Sequence, residues 1–343
     1  MVKVGIVGLG RSGWNIHAHA LAQLPDMYKI VAVCDADAAR RQEAEKRFGC
    51  KSYTDFKEFL KDGEVELAVI ATPSHFHASN AMDALKAGKN VVCEKPMATT
   101  LKDADAMIAT AKKTKRILSL FHNRRYSPEF VKIREILATG KLGRIVLVKM
   151  SWNGFSRRWD WQTLKKFGGG SLNNTGPHAI DQALHLFGDE DPEITSVLDR
   201  TLTLGDADDH VKIVFTGKNR PTIDIEISSA CAYPQDFWVI MGTQGGLRGS
   251  MSELHWKYFD PKKQPARQLE TSPTPDRSYN KDELVWEPEE HWKAGSEDRP
   301  QEQFYYRELH ATLTQGAPLA VTPESARRVM WVFEQVHKTK PLK

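Results

Sequence analysis

The 343-residue sequence predicts an α/β domain built on a parallel sheet, residues 1–122, followed by an α+β domain with a largely antiparallel open sheet, residues 123–343. Three observations carry this prediction. The first third alternates short apolar runs with amphipathic stretches, the pattern of βαβ units whose strands are buried on both faces. A glycine-rich turn, Gly8-Leu9-Gly10-Arg11-Ser12-Gly13, follows the first apolar run directly. From residue 144 onward the apolar residues fall instead at every second position. In 221–228, Ile223, Ile225 and Ile227 face one way and Asp224 and Glu226 the other, as in an antiparallel strand with one covered face.

In chain order, strands are expected at 3–8, 29–34, 67–71, 90–93 and 116–121. A helix over 37–48 is rich in Ala, Arg and Glu and stops at Gly49, and another over 78–87 stops at Gly88, each glycine serving as a C-terminal stop. The alternation ends near residue 122. Residues 260–300 are dense in Pro, Lys, Asp and Glu and read as a long excursion or flap. Trp256, Tyr258, Trp286 and Trp292 border it, either to stack on sugar faces or to anchor it. A last helix over 323–337 begins with Pro323 behind Thr322, a suitable N-cap, and is free to pack back toward the first domain.

The glycine turn sits between a strand and a segment that can be helical, the setting in which G-x-G-x-x-G binds a dinucleotide. Gly8 makes the tight turn, Gly10 lets backbone approach a pyrophosphate, and Gly13 lets helix pack on strand, with the helix N-terminus facing the phosphate charge. Arg11 and Ser12 share the loop. Asp35 closes the second strand, where its carboxylate accepts hydrogen bonds from ribose hydroxyls and repels a 2′-phosphate. NAD is therefore expected over NADP, although Arg40 and Arg41 lie close enough to accommodate a phosphate.

Composition bounds the partners. Lys plus Arg total 48 against 44 for Asp plus Glu, a net charge of +4 that leaves no electrostatic footprint for nucleic acid. The four cysteines form no C-x-x-C pair, which points to neither a zinc clip nor a disulfide framework and fits a reducing cytoplasm. No secretion signal is visible, and no apolar run approaches the ~20 residues of a membrane span. Small neutral or mildly anionic molecules are the expected partners.

Further blocks follow in order. They are Ala71-Thr72-Pro73-Ser74-His75-Phe76-His77, Val92-Cys93-Glu94-Lys95-Pro96, Asn123-Arg124-Arg125-Tyr126, Lys141-Leu142-Gly143, and Gly168-Gly169-Gly170 leading to His178-Ala179-Ile180-Asp181. Together they resemble the Gfo/Idh/MocA oxidoreductase family, with Glu94-Lys95-Pro96 the most telling motif. The resemblance is close over 1–190 and holds only in outline beyond. It implies a Rossmann domain followed by an α+β domain whose open sheet often serves self-association, hence a homo-oligomer, dimer or tetramer. Polyols, sugars or their keto forms are the substrates it implies.

Lys95 follows a buried strand, where ligands of parallel sheets bind. A salt bridge to Glu94 is the structural alternative to a role on the reacting oxygen, where the family uses this lysine to stabilise alkoxide-like charge. Asn174, His178, Asp181 and His185 fall at helical spacing on one stripe. His178 matches the family's catalytic histidine, which takes a hydroxyl proton; no metal is expected. The resemblance assigns Lys95, His178 and Asn174 to catalysis. It assigns Gly8, Gly10, Arg11, Ser12, Gly13, Asp35, Thr72, Pro73, His77, Glu94, Lys95, Asn123 and Trp161 to the cofactor, and Lys95, Arg125, Asn174 and His178 to substrate. Two positions depart from the family pattern. Asn174 stands where Asp is common, and Gln162 follows Trp161 where some members have a Trp-Arg pair. His17-x-His19 and His75-x-His77 each lack a third metal ligand; His17, His19 and His75 read as surface or packing residues. The function expected is NAD-dependent oxidation or reduction of a secondary hydroxyl or ketone of a sugar, inositol or sugar derivative. The alternatives are a glycosidase or lyase that uses NAD transiently through a 3-keto intermediate, and a non-catalytic NAD-binding regulator.

Overall fold

Val2–Val7, Tyr28–Cys34, Lys51–Tyr53, Leu67–Ile70, Asn90–Cys93 and Leu118–Leu120 (β1 to β6) form one sheet in the order β3-β2-β1-β4-β5-β6 in the computed structural model, which describes residues 1–274, 277–295 and 300–338. Every pairing in it is parallel. Val4, Ile6, Leu67, Val69, Val91 and Val92 are wholly buried, which is why these strands read as continuous apolar runs. β3 carries no such run and is not legible in the sequence; three backbone pairings to β2, Ala32 to Lys51 through Cys34 to Tyr53, hold it.

The strand order reverses between β1 and β4. Ligands of open α/β sheets bind at such a switch point, beyond the carboxyl ends of the strands. The glycine turn after β1, Thr72 after β4 and Lys95 after β5 all emerge there. The helix Ala38–Phe48 that follows β2 begins where the Asp37 side chain accepts the Ala39 amide at 2.9 Å, and ends at Gly49 with φ 61°.

Ile145–Asn153, Glu193–Asp199, His210–Thr216, Thr222–Ser228, Trp238–Gly242, Gly245–Gly249, Glu253–Tyr258 and Glu290–Lys293 (β7 to β14) build the second sheet, ordered β14-β13-β12-β11-β7-β10-β9-β8. All neighbours are antiparallel except β7 and β10. Ile223, Ile225 and Ile227 are buried on the face covered by the helix Gly176–Phe187, while Asp224 and Glu226 pair with Lys212 on the other face.

The excursion over 260–300 is not wholly a flap, because Glu290–Lys293 adds the edge strand β14 to this sheet. Its residues 275–276 and 296–299 lie outside the described residues. Trp256 is buried in the core and Trp292 packs against it. Tyr258 lies under the Lys141 ammonium, and Trp286 packs on Phe259 and Lys257, so these aromatics anchor the sheet edge.

The last helix, Pro323–Lys338, packs on the helix Leu101–Thr114 and β6 of the first sheet and also on Gly176–Phe187. Ion pairs Lys112–Glu324 and Arg327–Asp105 fasten it at the surface. The preceding helix, Gln301–Gln315, buries Tyr305 and Tyr306 against the first sheet, where the Tyr305 hydroxyl donates to Ser119 at 2.7 Å. Among the described residues, no helix is long and apolar enough to cross a membrane.

Candidate active site

Two clefts open at the carboxyl edge of the first sheet, of about 640 and 660 Å³. The first is lined by Gly8, Gly10, Arg11 and Ser12 on the glycine turn, by Asp35 and Arg40 at the end of β2, and by Thr72, Pro73 and His77 after β4. The turn is shaped for a ligand with bulk. A Cβ on Gly13 would sit on the Gly8 carbonyl oxygen, so that glycine serves packing, whereas a Cβ on Gly10 would meet no protein atom within 4 Å and would project into open space. Asp35 is fixed by two amides: Oδ2 accepts from Leu9 at 2.7 Å and Oδ1 from Asp37 at 2.9 Å. Each oxygen keeps a lone pair for a further donor. Arg41 donates to the Asp35 and Ala36 carbonyls at 2.8 and 3.0 Å, while Arg40 lies 3.7 Å from Asp35 and half exposed in the cleft. These residues fit a dinucleotide with its ribose at Asp35.

His77 is buried between two carbonyls, with Nδ1 2.7 Å from Pro96 O and Nε2 2.9 Å from Thr72 O. It ties the loops after β4 and β5 together rather than reaching across the cleft. Burial holds its imidazole below the ordinary range against the pull of those carbonyls.

Across this cleft stands the segment that carries Trp161, Gln162 and Gly168-Gly169. The half-exposed Trp161 ring meets Phe167 edge to face at 6.1 Å, and Gln162 accepts from Arg158 at 2.9 Å.

Arg11, Ser12, Glu94, Lys95, Arg158 and Asn174 line both clefts and form the wall between them. Lys95 Nζ donates to the Asn174 backbone carbonyl at 3.0 Å. That carbonyl is free because the helical stripe expected from Asn174 to His185 is interrupted. Ser171–Asn174 and Gly176–Phe187 are separate helices, Pro177 has no amide to donate, and the His178 amide bonds Thr175 O instead. Burial and the Arg11 and Arg124 charges draw the Lys95 ammonium below its ordinary range, with Glu94 opposing. No ion pair joins Glu94 to Lys95 Nζ among the described residues. Burial alone would raise the Glu94 carboxyl, but His17, Lys95 and His77 outweigh it and bring it down to about 2.

The second cleft is lined by His178, Asn123, Arg124, Trp152, Asn153 and Ser228, among others. His178 opens to it as a partly exposed residue, its ring 6.3 Å from that of Trp152 and its Nδ1 buried with no hydrogen-bond partner among the described residues. Burial, reinforced by Lys95 and Arg124, holds its imidazole well below the ordinary range and so neutral. Asn123, expected at the cofactor, lines only this second cleft and donates to Glu302 at 2.9 Å.

Arg125 does not meet the expectation of a substrate contact. It is buried away from both clefts, donating to Asp181 through Nε at 2.8 Å and Nη2 at 2.6 Å and to Ser325 at 2.8 Å. Its neighbour Arg124 faces the cleft, its Nη1 3.2 Å from Met251 Sδ. Asp181 is thus an ion-pair partner rather than part of a polar stripe in the cleft. Among the described residues, no group of three or more His, Cys, Asp or Glu is arranged to hold a metal.

Arg158, which the sequence places with Arg157, Trp152, Trp159 and Trp161 ahead of the glycine triplet where the family builds the outer wall of its site, forms a charged pair with Asp160 at the wall. One site neighbour escapes sequence reasoning: His17 is fully buried beneath Glu94, whereas His19 is exposed.

Comparison with known proteins shows the family and the fold. Residues 2–122 match the Gfo/Idh/MocA model described as an oxidoreductase family, NAD-binding Rossmann fold, and residues 130–248 match the Gfo/Idh/MocA C-terminal domain. An uncharacterized oxidoreductase of Schizosaccharomyces pombe is 30% identical over 257 residues, covering 72% of this chain and 69% of its own. The NADP-dependent scyllo-inositol 2-dehydrogenase of Bacillus subtilis is 33% identical over 190 residues, 54% of this chain and 52% of its own. Among solved structures, the WlbA dehydrogenase from Bordetella pertussis, in complex with NADH and UDP-GlcNAcA, superposes with a TM-score of 0.77 at 20% identity. That match covers 100% of this chain and 99% of the other and shows a shared fold.

Proposed function

The chain belongs to the Gfo/Idh/MocA oxidoreductase family, and from that premise we propose that it is an NAD-dependent dehydrogenase acting on a secondary hydroxyl or ketone of a sugar, inositol or sugar derivative. The observation that carries the reading is the position of Lys95 in the wall common to two clefts, one fitted to a dinucleotide and the other open to solvent beside His178. The nicotinamide cofactor supplies the hydride acceptor or donor. The glycine turn with Arg11 and Ser12 holds its phosphates, Asp35 its ribose, and Thr72, Pro73 and Trp161 close the cleft around it.

During oxidation Lys95 donates a hydrogen bond to the reacting oxygen and offsets the negative charge that develops as the carbon gives up hydride. His178, held neutral by desolvation and by the Lys95 and Arg124 charges, takes the hydroxyl proton. The neighbouring cations that disfavour imidazolium make a protonated His178 a ready acid, so the same pair returns the proton when the ketone is reduced. Asn174 contributes its carbonyl to the placement of Lys95, while its amide is left to the substrate. A homo-oligomer in the cytoplasm, formed through the open face of the second sheet, belongs to the same proposal and is read by light scattering.

The test is a panel of polyols, aldoses and glycosides incubated with NAD and followed for both reduced cofactor and glycoside cleavage. Reduced cofactor accumulating with a polyol or sugar is the expected result. Cleavage without net reduction would replace it with the transient-oxidation route, and no turnover on any member would sink both.

A further inference from the structure

His17 begins as an unexplained residue of a His-x-His pair and ends in a buried polar chain that joins Tyr306 to Glu94. It lies in the widened helical turn Gly13–Ala18 directly after the phosphate loop, wholly buried against Phe121. Its Nδ1 is 2.7 Å from the Tyr306 hydroxyl and its Nε2 is 3.1 Å from Glu94 Oε1. A neutral imidazole satisfies both contacts at once, with the tyrosine donating to Nδ1 and Nε2–H donating to the carboxylate. Glu94 Oε2 is engaged as well, accepting the backbone amide of Lys95 at 3.0 Å. Each oxygen of this carboxylate is therefore held by one fixed donor, which sets its orientation while the Lys95 ammonium lies on the next residue. Among the described residues, that ammonium donates to a neutral carbonyl, Asn174 O, and to no carboxylate. Glu94 is buried and Lys95 half-buried, and each charge shifts the other's titration although no ion pair joins them among the described residues.

We propose that His17 and Tyr306 are positioning residues that clamp the Glu94 carboxylate so that it cannot pair with the Lys95 ammonium, which leaves that ammonium free for the reacting oxygen. The proposal rests on the role given to Lys95 above. The charged and titratable groups acting on Lys95 include Glu94, Arg11 and Arg124, together with His178, His122 and His77; those acting on Glu94 include His17, His77, Lys95, Cys93, Tyr305 and Tyr306. Once the clamp is broken, Glu94 is the only carboxylate among these groups and is free to turn to Nζ. Lys95 then holds its proton to higher pH and loses its hold on the substrate oxygen.

The experiment uses the full chain labelled with 13C-lysine. The Lys95 Cε resonance, identified by its absence in Lys95→Met, is titrated in the wild type, His17→Leu and Tyr306→Phe. Lys95 is expected to titrate about one pH unit higher in His17→Leu, and less far upward in Tyr306→Phe, which keeps the ring volume should the histidine variant fail to fold. Turnover should fall roughly 10-fold or more in His17→Leu while NADH affinity stays within about 3-fold, and His17→Leu with Glu94→Gln should match Glu94→Gln alone, since the clamp has no charge left to restrain. A Lys95 titration that is unmoved or lowered in the folded variants overturns the proposal. So does an equal loss of turnover with and without the Glu94 carboxylate. The titration needs no turnover, so a chain inactive on every polyol would refute the dehydrogenase reading and leave this result standing by itself.

Discussion

Asp35→Ser should narrow or reverse a preference for NAD over NADP. The Asp35 side chain is 10% exposed and held by the Leu9 and Asp37 amides, so its charge cannot swing away from an incoming cofactor. A 2′-phosphate charge about 4 Å from that carboxylate is repelled by roughly 4 kcal/mol at an effective dielectric of about 20. Arg40, 3.7 Å from Asp35, returns part of this, but it is half exposed and also drawn to Asp37 at 3.6 Å, so solvent screens its contribution. A net discrimination of about 1.5–3 kcal/mol remains, roughly 10–150-fold in kcat/KM. The assay is kcat/KM with each cofactor on one substrate, for wild type, Asp35→Ser and Arg40→Ala. Arg40→Ala should widen the preference by removing the cation that pairs with the Asp35 carboxylate and lines the cleft beside it. A higher kcat/KM with NADP in the wild type, or an unchanged ratio in Asp35→Ser, refutes the electrostatic account.

Three further outcomes are expected. Gly10→Ala should leave Tm nearly unchanged and weaken NADH binding about 10-fold or more, because its Cβ meets only the cofactor space, whereas Gly13→Ala should lower Tm by colliding with the Gly8 carbonyl; equal effects on both measurements would contradict the cradle. Asp181→Asn strands the buried Arg125 guanidinium and should cost about 3–5 kcal/mol in urea unfolding, so an unmoved midpoint would show that the pair contributes nothing. Burial lowers the His122 imidazole to about 4, with Asp181 opposing. As pH falls through 6.5 the unfolded chain gains a proton that folded His122 refuses, and unfolding free energy should drop by up to about 1.4 kcal/mol per unit until about pH 4. His178 acts in the same sense. His122→Gln should flatten this slope, and a slope identical to the wild type's would remove His122 as its cause.

What the sequence reveals of this molecule follows the range of each interaction. The apolar strands and the Gly49 stop are local, and they appear within about two residues of where their chemistry puts them, while Asp37, expected inside its helix, stands one residue outside as the cap. β3 is three residues held by backbone pairing, which leaves no pattern in side chains. Arg124 and Arg125 are indistinguishable by type. Only the Asn123–Tyr126 turn and an aspartate 56 residues away decide that Arg125 is buried and Arg124 faces the cleft. The partners of His17 lie 77 and 289 residues away, so its inward orientation had no sequence signal beyond the His-x-His spacing. The break before His178 did have one. Gly176-Pro177 inside a helical stripe marks the point where the chain frees the Asn174 carbonyl that receives Lys95.

The central claim is that reaction takes place where the two clefts meet at Lys95, and the most direct measurement is Lys95→Met compared with wild type for NADH affinity and for turnover on the best substrate of the panel. NADH affinity should change by no more than about 3-fold and kcat should fall by ~100-fold or more, as for the removal of a group aimed at the developing oxyanion. Near wild-type kcat in a folded Lys95→Met protein would contradict the claim and move the chemistry elsewhere.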